Sequence, residues 1–377
     1  MTNDRDAIAL AERVLGILEE GGFSATYKFA LFTAILDLCL EKKFAKGVAP
    51  ESLSTAHLAD RVIELYWDHV VPYTGERPLR QGGGANEQAE ILSLIQKARV
   101  HWSQHGIETV HRARADKERF ESLVCKVEWK LIEMPIPRLQ VLGHDEDRFL
   151  YQYNWTKQTP RSLITSYQRK RILDSRAESL STDSGFDNRL ILLPGVADQL
   201  VRLNGILRPL FYRKWAAMVA RMNQLKESEL EEFLFGRKRM PLDPVREPLR
   251  ELQDDRCFYC DERLSGAADV DHFIPWTRYP DNGLDNLVVA HPRCNNRKRD
   301  FLAAADHVEH WSERGRTQAA DLSSLAQGTN WLRDANRTAS IAKSIYSLLP
   351  LNAKLWRGST TFAPNERERI LAALAML

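Results

Sequence analysis

The stretch that most constrains the fold is CFYCDERLSGAADVDHFIPWTRYPDNGLDNLVVAHPRCNNRKRD, residues 257–300. It opens with Cys257-Phe-Tyr-Cys260 and, after 30 intervening residues, carries His291-Pro-Arg-Cys294. Two residues between the members of a pair let both turn toward one ion, and two such knuckles supply the four tetrahedral donors of a structural zinc. A single CxxC arises by chance; a second matched pair closing a unit of 38 residues gives the signal its weight. The expectation is a Cys3His zinc site built from Cys257, Cys260, His291 and Cys294. Structural zinc in a small unit supplies on the order of 10 kcal/mol of folding free energy, so loss of Cys257 is expected to unfold this segment.

The second histidine of the stretch keeps different company. His272 follows Asp271 and precedes Asn286, Asn295 and Lys298. Hydrolysis of a phosphodiester needs a nucleophile near neutral pH, charge neutralisation on phosphorus and help for the leaving 3′-oxygen. A neutral imidazole meets the first need, and a hard cation such as Mg2+, which takes oxygen ligands and keeps several waters, meets the others with one carboxylate and one amide oxygen. With these residues, VDHFIPWTRYPDNGLDNLVVAHPRCNNRKRD resembles the HNH endonucleases. The resemblance covers residues 250–302 of 377 and rests on an Asp-His pair, a proline-containing loop, an Asn-Leu and a closing C-N-x-x-K.

The resemblance implies two antiparallel strands and a helix stapled by zinc around one divalent metal. It makes His272 the general base and Asp271 and Asn295 the protein ligands of a catalytic Mg2+ or Mn2+. Asn286 would brace the loop and hold the His272 imidazole, and Lys298 would stand near the phosphate. His291 stands where many members have cysteine, and His-x-x-Cys remains a good zinc knuckle. Arg293, Arg297 and Arg299 are candidate phosphate contacts, as is Arg278.

The rest of the chain reads as predominantly helical, giving an α+β class overall. DAIALAERVLGILEEGG, TYKFALFTAILDLCLEKK, STAHLADRVIELYWDHVVP and QAEILSLIQKARVHWSQHG repeat apolar residues at helical spacing, the first stopped by Gly21-Gly22. Residues 107–134 keep a helical stripe through Phe120, Leu123, Val124, Val127 and Leu131 up to Pro135. RFLYQYNW and NRLILLP are the strand candidates. A long amphipathic run from 196 to 235 is expected to break at Pro209, and DPVREPLRELQ to start a helix with Asp243 as N-cap and Pro244 at its first position. The expected organisation is a helical regulatory or recognition domain over 1–235, an HNH module over 240–305 and a helical extension over 306–377.

The formal net charge of +2 says little about partners, so the distribution must. YQYNWTKQTPRSLITSYQRKRILDSR places Arg169, Lys170 and Arg171 among interleaved aromatics, and GRKR at 236–239 leads into the module; both are candidate nucleic-acid contacts. Apolar runs far shorter than the roughly 20 residues of a membrane helix, and a charged N-terminus, set the expectation of a cytoplasmic protein with no membrane partner. Five cysteines agree with a reduced compartment. The glycines of RPLRQGGGANE lack phosphate-loop spacing, so no nucleotide cofactor is expected. His307 and His310, three apart with no third ligand nearby, read as surface residues.

The sequence therefore predicts a metal-dependent endonuclease acting on DNA. By analogy alone it also fits a nuclease effector of a bacterial anti-phage system such as Zorya, working with other proteins of that system. The alternatives are a zinc-stapled nucleic-acid adaptor without catalysis, a restriction-type enzyme, or a nuclease directed at RNA.

Overall fold

The structure is a computed structural model that describes residues 2–20, 24–45, 49–73, 77–82, 88–143, 145–174, 185–236 and 242–377. The Gly21-Gly22 stop, the glycines after Gly82 and the basic residues 237–239 fall outside the described residues. The chain divides into two compact units, one of Met1–Cys39 with Pro50–Gly236, the other of Leu40–Ala49 with the chain from 237 to Leu377.

The first unit is helical: α1 (Thr2–Glu20), α2 (Tyr27–Ala45, whose last residues group with the second unit), α3 (Thr55–Trp67), α4 (Glu90–Ser103), α5 (Val110–Ala113), α6 (Lys117–Glu133), α7 (Pro135–Arg138), α8 (Arg161–Asp174), α9 (Val196–Asn223) and α10 (Glu227–Phe235). Ser54 caps α3 by accepting from the Ala56 amide, which fixes where that helix begins. Short strands β1 (Ser52–Ser54), β4 (Tyr151–Gln152) and β5 (Arg189–Leu192) form one antiparallel sheet with β5 central, and β2 (Val141–Leu142) pairs with β3 (Asp145–Glu146). Trp215 on α9 is the hub of the core: its fully buried ring meets Phe29, Tyr66, His69 and Phe235 at centroid distances of 5.1–6.0 Å.

Four local expectations need correction. Helix α9 runs through Pro209 and ends instead at Gln224, where φ of +56° places a left-handed residue that starts a new helix direction. Proline removes one N–H, directed at Gly205, and a well-packed 28-residue helix tolerates the loss. RFLYQYNW contributes only Tyr151–Gln152 to a strand. The aromatics interleaved there are core rather than a stacking platform: Tyr151, Trp155 and Tyr167 are buried. In the second unit the helix after the junction is capped by Leu242, so Asp243 is its first residue rather than its cap.

That second unit contains α11 (Asp243–Leu252), β6 (Asp269–His272), β7 (Leu287–Ala290), α12 (Pro292–Lys298), α13 (Ala305–Thr317), α14 (Ala319–Thr329), α15 (Ala335–Ser347), β8 (Lys354–Gly358), β9 (Thr361–Pro364) and α16 (Arg367–Ala375). Strands β6 and β7 pair antiparallel, from Asp269 opposite Ala290 to His272 opposite Leu287. A hairpin of β8 and β9, not anticipated from the sequence, turns at Gly358 and Ser359, both at positive φ. It is tied to the segment after α12 by the Ala304 amide on the Trp356 carbonyl and the Trp356 amide on the Leu302 carbonyl. His307 is buried rather than on the surface, with its ring stacked on Trp356 and Nε2 at 2.9 Å from the Arg357 carbonyl. Among the described residues no helix is long and apolar enough to cross a membrane.

Candidate active site and metal centre

The four sulfur and nitrogen donors of Cys257, Cys260, His291 and Cys294 lie within 4.8 Å of one another. Local backbone explains the convergence. The Cys257 amide binds the Glu262 carbonyl and the Asp261 amide binds the Cys257 carbonyl, curling the first knuckle. The Phe258 amide on the Val289 carbonyl pins that knuckle to β7. His291 caps α12 and Pro292 opens it, so Cys294 arrives one turn later. His291 Nε2 lies 3.2 Å from the Arg263 carbonyl, which makes Nε2–H the donor and leaves Nδ1, 3.3 Å from Cys260 Sγ, as the ligand atom. Burial, then the neighbouring Cys257 and Cys260, pushes the Cys294 thiol up to about 12. Three crowded thiols and an imidazole are a soft donor set that fits zinc, whose charge offsets the cost of ionising them.

The second site begins on β6. Asp269 and Asp271, two residues apart on a strand, face α12, while His272 faces the loop that follows. Helix α12 lays Asn295 over Asp269, with Asn295 Nδ2 donating to Asp269 Oδ2 at 3.0 Å. One turn on, Lys298 Nζ donates to Asp271 Oδ2 at 2.9 Å and to the His272 carbonyl at 2.8 Å. Tyr259, inside the first knuckle, donates its hydroxyl to the same Asp271 oxygen at 2.6 Å. Burial and the adjacent carboxylate hold that phenol well above its ordinary pKa, so it stays a donor at neutral pH. Asp271 Oδ1 receives no hydrogen bond from the described residues.

His272 sits at the end of β6, 2% exposed, with Nε2 at 2.8 Å from Asn282 Oδ1 and the Trp276 ring 5.1 Å away. An amide oxygen only accepts, so Nε2 carries the proton and Nδ1 is the basic nitrogen. Fully buried Asn286 staples the loop: its Oδ1 accepts from the Ile274 amide at 2.7 Å, and its Nδ2 donates to the Ile274 and Asp281 carbonyls. The Phe273 amide bonds the Asn286 carbonyl, fixing the backbone immediately after His272. Asp281 caps the turn with Oδ1 on the Gly283 amide and Oδ2 on Thr338. Gly283 is required there, because a Cβ would stand 2.9 Å from Asp281 Oδ1.

The structure thus gathers His272, Asp271, Asn295, Lys298 and Asn286 around one strand end, with Asn295 and Asp271 bonded to different partners. Lys298 is fully buried, whereas Arg293, Arg297 and Arg299 are exposed on α12, the first paired with Glu262 and the second bonded to Ser359. Arg171, on α8 of the first unit, is engaged by Glu121 and Glu128; Arg169 is exposed and Lys170 half-buried. Residues the sequence did not single out are Asp269, Asn282 and Tyr259. Asp269 was signalled by the two-residue alternation with Asp271; Asn282 reads as plain turn chemistry in PDNG, and Tyr259 as filler between cysteines.

A family model described as "HNH endonuclease" matches residues 257–304. A second, described as "Domain of unknown function (DUF8808)", matches residues 7–234, more than half of the chain. The chain belongs to the DUF8808 family. Residues 257–304 form an HNH module with a Cys3His group within it. That module points to a nuclease with a nucleic-acid substrate, on a mostly helical α+β protein. No curated protein and no solved structure matches.

Proposed function

We propose that this DUF8808 chain is a metal-dependent endonuclease that nicks or cuts DNA. The observation that carries the reading is the Asn282 contact, which fixes the His272 tautomer with Nδ1 as the basic nitrogen. His272 takes a proton from water as the oxygen bonds to phosphorus, and the P–O3′ bond breaks on the opposite side. Asp271, through Oδ1, and Asn295, through its amide oxygen, would hold Mg2+ or Mn2+, with Asp269 beside Asn295. When bound, the cation supplies charge neutralisation on the phosphate and the leaving oxygen. Lys298 and Tyr259 are positioning residues: they hold Asp271 turned toward α12, and Lys298 also grips the His272 backbone. Arg293 and Arg297, four apart on the exposed side of α12, and Arg299 at its end contact backbone phosphates. The helical first unit chooses or regulates the target.

The test is incubation of supercoiled plasmid with Mg2+ or Mn2+ and either wild type or His272→Ala, with a structured RNA in parallel. Wild type should nick or linearise the plasmid, and the variant should be slower by about 10²- to 10⁴-fold with an unchanged melting temperature. Equal cleavage by the two proteins, or no cleavage by wild type with either metal, leaves the zinc-stapled adaptor as the better reading. Cleavage of RNA alone would move the substrate class. Neither family description speaks of phage, so the activity proposed is the cleavage itself.

A further inference from the structure

We propose that a trough between α4, α6 and α8 of the first unit binds a nucleotide, base against the Trp129 and Arg161 pair and phosphate between Lys126 and Arg169. The trough has a volume of about 400 Å³, within the range of small-ligand clefts. Its walls are helical faces in register: Cys125, Lys126 and Trp129 from α6 meet Arg161 and Arg169 from α8.

Charge distinguishes this surface from an ordinary solvated face. Several cations on the same helices are matched: Arg171 pairs with Glu121 and Glu128, and Lys130, at the trough's edge, lies 2.9 Å from both Glu90 and Glu133, while Lys97 and Lys117, which do not line the trough, have no carboxylate partner among the described residues. Lys126, Arg161 and Arg169 have no carboxylate partner among the described residues. Three unmatched cations around one concavity repel each other and lower the free energy of an anion placed between them.

Shape and polarity narrow the anion. The Arg161 guanidinium lies over the half-buried Trp129 ring, 4.5 Å from its centroid, so that side of the trough is a flat cationic stack set in an apolar wall. A bare phosphate would leave the stacked Trp129 and Arg161 surface uncovered, and a neutral aromatic would leave the cations without a counter-charge. A nucleotide matches both ends, because bases stack on indole and guanidinium planes while the phosphate takes the point charges. The same chemistry is presented by a free nucleotide and by one residue of a single strand. DUF8808 covers all of these residues, and its description assigns no function to them.

The experiment uses the full-length chain carrying His272→Ala, so that a strand stays intact, with no added divalent metal. A fluorescein-labelled oligothymidine single strand is measured by anisotropy, and dTMP, dAMP and pyrophosphate by calorimetry. The variants Lys126→Gln with Arg169→Gln, and Trp129→Ala, should each weaken binding about tenfold, with melting curves like the parent's. Lys126 and Arg169 are exposed, so the glutamine variants remove charge without removing packing. A loss seen for a mononucleotide assigns the site to free nucleotides; a loss confined to the strand assigns it to single-stranded nucleic acid. The proposal is overturned if no nucleotide probe binds, if the variants bind as the parent does, or if pyrophosphate binds as tightly as the nucleotides. No arm requires cleavage, so this site and the nuclease reading fail independently.

Discussion

The two units differ in what most of their buried polar side chains face. In the helical unit, buried charges face one another: Arg208 reaches Asp37 at 2.6 Å with both side chains nearly inaccessible, and fully buried Glu128 is met by Arg171, Thr55 and Tyr167. In the second unit one such pair is also buried, Lys298 with Asp271, but most of the buried polar groups around residues 273–286 hold backbone. Arg314 donates to the Asp285 and Leu287 carbonyls, Trp311 to the Asp285 carbonyl, Trp331 to the Asn282 carbonyl, and Asn286 to Ile274 and Asp281. Helices satisfy their own main chain, so side chains there are left to pair with each other. Residues 273–286 carry few backbone–backbone bonds, so several of their carbonyls take side-chain donors, from Asn286 within the segment and from Trp311, Arg314 and Trp331 beyond it. The loop after His272 is therefore held partly by residues distant in sequence.

The zinc knuckles have the largest expected effect. Cys257→Ala should reduce zinc from about one per chain and remove a folding contribution on the order of 10 kcal/mol. Elemental analysis and calorimetry check this; a second unit that still melts cooperatively without zinc would show that its buried donors suffice alone. Next, Arg208→Leu should cost about 3–5 kcal/mol because it removes the buried arginine from Asp37, while adding Asp37→Leu should recover most of the loss. Denaturant midpoints of the single and double variants give the comparison. Arg314→Leu should cost about 1–3 kcal/mol by leaving the Leu287 carbonyl bare and the Asp285 carbonyl with Trp311 as its one remaining donor. No second side-chain substitution should rescue it, because its acceptors are main chain; a rescue as large as that at Asp37 would erase the distinction between the units. The smallest effect is expected at Arg299, which ends α12 with φ of +48° and ψ of −126°. Glycine there should stabilise by about 1 kcal/mol, read as a small rise in melting temperature, since only an L side chain resists that conformation.

This division also explains what could be read from the sequence. The Cys3His group was legible because donors for one tetrahedral ion impose local spacing, and the Asp271-His272 pair stood out because it is contiguous. Helix α6 showed its periodicity, since its stripe packs as one face, whereas α2 is buried on every side from Lys28 to Leu40. Asn282 was hidden because its role depends on how a turn folds back over β6. Arg314 was hidden because a buried arginine on an amphipathic helix looks like a surface one until the carbonyls beneath it are seen. The hairpin of β8 and β9 depends on pairing with Leu302 and Ala304, some 50 residues earlier, and no local pattern announces that. Pro209 misled because a helix break is a local rule, and packing around α9 overrode it.

The second unit also owns residues made long before the rest of it. Leu40 supplies the carbonyl that accepts from Ser344, and Glu41 is bonded by Tyr279 and Arg337, the first of these on the loop that carries Asn282. During synthesis these residues leave the ribosome nearly 200 positions ahead of the module they complete. A gene fragment encoding only residues 243–377 would yield a nuclease unit lacking its own Glu41. Expressed separately, such a fragment is expected to need the N-terminal piece added in trans before its active-site loop is set.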